Sequence, residues 1–147
     1  MPSPTFSVST EIRAEPNAVF AYVSDLSKHG EWAGNELRVE PRDDSPLGIR
    51  KKYRSYANAR ARAFHADLLV TEFSAPTVFA FSGSDETGTF SHRFTFEKIE
   101  NRTRVTRTVN FDLSLGQYIF YLMMLNRVRL PVAKKALEKL KERLEKQ

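Results

Sequence analysis

Residues 91–113, SHRFTFEKIENRTRVTRTVNFDL, alternate apolar and polar side chains at period two on both sides of an ENRT turn. That spacing sends successive side chains to opposite faces of a pleated strand, so the segment predicts two antiparallel strands joined by a tight turn. Phe94, Phe96, Val105, Val109 and Phe111 then share one face, which must be covered to leave water. The same parity puts His92 and Arg107 on that apolar face. An arginine in a dry, solid core is costly unless it is paired. The expectation is therefore a face that lines a cavity, where both groups meet water or the polar end of a ligand.

The flanking sequence extends the pattern. TFSVSTEI alternates as a first strand, and EPNAVFAYVSDL opens a helix in which Pro16 suits the first turn and Val19, Phe20 and Val23 recur at helical spacing. Asp25 is expected to end that helix and cap a second, short one leading to Trp32. ELRVEP reads as a short strand. Gly48 is expected to open a longer one through Ile49, Lys51 and Tyr53, and AFHADLLVTEF and TVFAFSG form two more around SAPT. From Gln117 the period becomes helical, with Leu130, Ala133, Leu137, Leu140 and Leu144 on one stripe. Pro131 falls inside this helix and is expected to kink it between an apolar half and an amphipathic half. One strand, two short helices, six strands and a terminal helix make an α+β fold in a single domain, 1–147.

Bulk properties narrow the function. At 147 residues, with 41% hydrophobic and 28% charged residues, the chain suits one soluble globular domain with room for a core and a pocket. No cysteine is present, which excludes disulfides and thiolate metal sites; a cytoplasmic location is the expectation. MPSPTFSVST lacks the pattern of a secretory signal, and YIFYLMML is too short to span a bilayer. The net charge of +5 is concentrated: residues 127–147 hold 8 Lys/Arg against 3 Glu, and residues 50–62 hold 6 Arg/Lys and no acid. Such runs attract phosphate-bearing partners, though they also occur as solvated faces.

VSTEIRAEPNAVFAYVSDLSKHGEW, VTEFSAPTVFAF, FTFEKIENRTRVTRTVNFDL and ALEKLKERLEKQ together resemble the polyketide cyclase/dehydrase and lipid transport superfamily. The resemblance covers roughly residues 5–145 and implies a START-like helix-grip fold. In that fold a curved, seven-stranded antiparallel sheet wraps a long C-terminal helix, and two short helices follow the first strand. It also implies a deep apolar cavity between sheet and helix. The implied functions are a carrier for a lipid-like or polycyclic aromatic ligand, or a cyclase or dehydratase of polyketide-like substrates.

Candidate site residues follow from parity and from this implied cavity. His92 and Arg107 are the polar anchor, either for binding or for acid–base chemistry. Glu72 shares parity with Leu68 and Val70 and is expected to face inward beside His92 as a third catalytic candidate; His65 and Asp67 are expected outside. Tyr53, Val70, Phe81, Phe94 and Val109 are expected to line the ligand site, closed by Tyr118, Tyr121, Leu122 and Leu125 on a portal helix. Surplus apolar positions in 117–130 suggest a homodimer contact or a peripheral membrane contact. The three histidines lack partners at ligand spacing, so neither a metal nor another cofactor is expected. A third reading, an RNA or macromolecule binder using strand 50–62 with Tyr53 and Tyr56, has the charge but no recognisable nucleic-acid motif.

Overall fold

A computed structural model describes residues 5–33, 37–59, 62–85, 88–112 and 130–146, together with Ile119 and Met123. Seven antiparallel strands form one curved sheet: β1 (Thr5–Ile12), β2 (Leu37–Pro41), β3 (Lys52–Ala59), β4 (Arg62–Ser74), β5 (Val78–Asp85), β6 (Gly88–Ile99) and β7 (Arg102–Asp112). Their order is β1-β7-β6-β5-β4-β3-β2, so a meander from β2 to β7 is closed at its far edge by β1. The chain therefore crosses from one sheet edge to the other between β1 and β2. It does so through helix α1 (Pro16–Ser24) and a short 3-10 helix (Leu26–Glu31), which together cover one end of the inner face.

The core lies where the alternating pattern points. Val8, Ile12, Val39, Leu68, Phe79, Phe96 and Val105 are buried on one face of the sheet. The C-terminal helix α2 (Leu130–Glu145) buries Ala133, Ala136, Leu137, Leu140 and Leu144, a stripe spaced by three and four residues. Its polar side is tied to the chain just after β1, where the Arg13 amide donates to Glu145 Oε2 at 2.8 Å. In α1, the Phe20 ring meets Phe73 and Phe96 edge-on at 5.2 and 5.3 Å. Pro131 sits in the first described turn of α2, and the expected kink before it lies outside the described residues.

Local chemistry fixes the short helix. Asp25 ends α1, and its carboxylate accepts from the Ser27 amide at 3.1 Å and the Ser27 hydroxyl at 2.5 Å, so one side chain stops one helix and starts the next. Gly30 lets the helix pack on β2 at backbone distance: a Cβ there would lie 2.1 Å from the Leu37 carbonyl oxygen. Because backbone and not a flexible side chain blocks it, Gly30→Ala should cost about 2–3 kcal/mol in urea unfolding. A loss within about 0.5 kcal/mol would show that β2 yields freely.

Two expectations fail at strand ends. β3 begins at Lys52 and not at Gly48; residues 48–51 form a turn closed by the Lys51 amide on the Gly48 carbonyl, with Arg50 at a φ of 72°. Ile49 is 62% exposed and does not share the face of Tyr53. In β4 the register against β5 shifts between Val70 and Glu72, a bulge that inverts parity beyond it.

Candidate ligand-anchoring site

His92 faces Val109 and Arg107 faces Phe94 in the β6–β7 ladder, so the two polar residues are diagonal neighbours on the inner face. The Arg107 guanidinium donates to His92 Nδ1 through Nη2 at 2.8 Å and Nε at 3.2 Å. Nδ1 is therefore the acceptor, and the proton of a neutral His92 resides on Nε2. No carboxylate among the described residues pairs with Arg107, which is 8% exposed. Its charge is met by ring faces, with Trp32 and Phe94 centred 5.9 and 5.6 Å from the guanidinium carbon.

These contacts belong to a closed circuit. Arg107 lies against Trp32; Trp32 meets the His29 ring at 4.7 Å; His29 meets Phe81 at 5.7 Å; Phe81 stacks on His92 at 4.9 Å; and His92 returns to Arg107. Phe90 closes on the edge of His92 at 5.6 Å, in space left by Gly83, where a Cβ would lie 2.2 Å from the Phe90 ring. His29 is the member that sequence parity missed. Its signal is the spacing Leu26, His29, Trp32: three residues per turn place all three on one face of a 3-10 helix, turned toward the core.

Burial sets the electrostatics. His29 is pushed down to about 3, by desolvation first and by the Arg107 charge second. His92 retains some accessible surface but sits deep among protein atoms, and burial, then Arg107, then His29 hold it well below the usual imidazole range. Burial lowers Arg107 to about 10, which leaves it charged at neutral pH. The site is thus one cation between two neutral imidazoles. His29 Nδ1, Trp32 Nε1 and the Tyr53 hydroxyl are buried without hydrogen-bond partners. Each such group costs about 1–3 kcal/mol.

The other sequence candidates separate cleanly. Val70, Phe81, Phe94 and Val109 are buried on the inner face with the pair. Tyr53 is also buried, its hydroxyl near the backbone of Leu26, and burial raises it to about 12. Glu72 is the correction: the β4 bulge turns it to the outer face, where Arg93 holds it through two bonds of 3.0 and 3.3 Å. It does not meet His92. His65 and Asp67 are outside as expected. Tyr118, Tyr121, Leu122 and Leu125 lie outside the described residues, whereas Ile119 and Met123 are helical and exposed.

Two solvent-open grooves accompany the cluster. One, of about 480 Å³, runs between Trp32 and the α2 face carrying Val132, Lys135, Ala136 and Lys139; the other, of about 600 Å³, is lined by Arg42, Lys52, Asp67, Leu69, Ser84 and Thr89 among others. Only the first touches the aromatic circuit, through Trp32. Among the described residues no set of three or more acidic or imidazole groups converges to hold a metal ion, and no helix is long and apolar enough to cross a membrane.

An antiparallel sheet wrapped over a terminal helix defines the helix-grip class of α+β folds. Residues 3–145 match the family model described as polyketide cyclase / dehydrase and lipid transport, and the chain belongs to that family. Solved structures agree on the fold. An aromatase/cyclase from a Streptomyces species superposes with a TM-score of 0.78 at 13% identity, covering 99% of this chain and 95% of that one. A Thermus thermophilus protein gives 0.74 at 18% identity, with 96% and 97% covered. The protein Ara h 8.0201 gives 0.71 at 9% identity, with 99% and 100% covered. A search of curated protein sequences gives no match.

Proposed function

We propose that the inner face of the sheet binds an apolar, ring-bearing ligand whose anionic or carbonyl group is held by Arg107, and that the protein serves as a binder or carrier for it. The observation that carries this reading is a charged arginine, almost fully buried, whose only hydrogen-bond partner among the described residues is a neutral imidazole. A buried cation with no counter-charge is a stability burden that a ligand anion relieves. Trp32, Phe81, Phe90 and Phe94 surround the pair, and such aromatic side chains pack favourably against the rings of a ligand.

The family description also supports an enzymatic reading, a cyclase or dehydratase. It is weaker on chemical grounds. Glu72 is not at the site, and an imidazole far below its usual range is a poor base near neutral pH. The nucleic-acid reading of segment 50–62 is weaker still, because Lys51 turns in toward Asp43 and Ser45, and Arg54 is paired with Asp67. Arg38 lies over the Tyr56 ring at 4.6 Å and occupies the face a base would need.

The test is titration with a polarity-sensitive anilinonaphthalene dye. About one saturable site per chain is expected, with displacement by naphthoate and by fatty acids. No saturable binding to the folded protein would overturn the reading.

A further inference from the structure

The Arg107–His92 pair leaves two polar atoms of the circuit unused, His29 Nδ1 and Trp32 Nε1. One lies in the short helix and the other at its C-cap, in residues 6% and 1% exposed, with ring centroids 4.7 Å apart. Their chemistry is complementary. An indole N–H can only donate, and a neutral His29 accepts at Nδ1 in the Nε2–H tautomer, the one assigned here. Burial first, and the nearby Arg107 charge second, keep His29 neutral. A donor beside an acceptor matches a hydroxyl, which accepts and donates at one oxygen; a carbonyl or an ether can satisfy only the indole.

We propose that His29 and Trp32 form a second polar subsite that takes a hydroxyl group of a ring-bearing ligand, Trp32 Nε1–H donating to its oxygen and its O–H donating to His29 Nδ1. The subsite rests on the reading that the inner face binds an apolar ligand, but it adds a specificity that Arg107 cannot supply. Arg107 selects for negative charge, and this pair selects for an uncharged hydroxyl. The groove between Trp32 and α2 runs beside this tryptophan, whose indole nitrogen is itself buried.

Competition against the fluorescent dye separates the two ideas, using a naphthol, its methyl ether and naphthalene. The wild-type protein should prefer the naphthol to the ether by about tenfold, the worth of one to two hydrogen bonds. Trp32→Phe keeps an aromatic ring without the N–H, and His29→Leu removes the acceptor. Each should bring the naphthol-to-ether ratio, measured on that same variant, to within about twofold whatever the change in its affinity for naphthalene. If one variant fails to fold, by circular dichroism, the other decides, and if both fail the wild-type preference decides. Equal affinity of naphthol and ether for the wild type, or a preference that survives both substitutions, overturns the subsite and leaves the ligand-binding reading standing. Absence of saturable dye binding overturns that reading and the subsite with it.

Discussion

Arg107→Leu should fold at least as well as the wild type and bind naphthoate about 100-fold more weakly, as measured by titration calorimetry and urea unfolding. The two halves of this expectation come from the same imbalance. Removing the guanidinium abolishes the desolvation of a charge that no described carboxylate offsets, and leucine suits the faces of Trp32 and Phe94. Against this, His92 Nδ1 loses its donor, at about 1–3 kcal/mol. The affinity loss follows because an anion brought into this space would have no cation to meet. Affinity for uncharged naphthalene should change little. A variant destabilised by more than about 3 kcal/mol with unchanged naphthoate affinity would show that the arginine is structural.

The second large effect is on acid stability. His29 has a folded-state pKa of about 3 against an ordinary 6.5, and His92 is depressed in the same direction. Below about pH 6.5 the unfolded chain takes up protons that the native chain refuses, so stability is intact above that point and falls as pH drops. His29 contributes about 1.4 kcal/mol per pH unit in this range, and His92 adds to the loss in the same direction. Between about pH 6.5 and 4.5 the loss from His29 alone should reach about 2–3 kcal/mol, a large part of the stability of an ordinary domain, and His92 deepens it. His29→Leu should lower the slope of urea stability against pH in that window by about 1.4 kcal/mol per pH unit. A flat profile there would mean that both imidazoles are solvated.

Much of this was legible before any coordinates. Period-two alternation through β6 and β7 set which side chains share the inner face, and the Asp25 cap was visible as an acidic residue closing one apolar helical run and preceding another. The diagonal meeting of His92 and Arg107 follows from the same parity because the ENRT turn holds the register. What escaped has local causes. The β4 bulge breaks parity after Val70, and its trace is subtle: Phe73, an odd-numbered apolar residue, follows the even series of Leu68 and Val70. Gly48 and Ile49 look like a strand start until the positive φ of Arg50 bends the chain. His29 was hidden by the assumption of strand parity or of α-helical spacing, whereas only a three-residue period aligns it with Leu26 and Trp32. No single-residue signal marks Gly83, whose role is set by the Phe90 ring across the ladder.

As proposed above, Arg107 meets the charged end of an apolar ligand inside the sheet. A crystal structure of the protein with naphthoate tests it most directly. The carboxylate should lie within about 3 Å of the Arg107 guanidinium and the rings among Trp32, Phe81 and Phe94. Naphthoate bound only on the outer face or in the β3–β6 groove, with Arg107 still facing His92 alone, would contradict it.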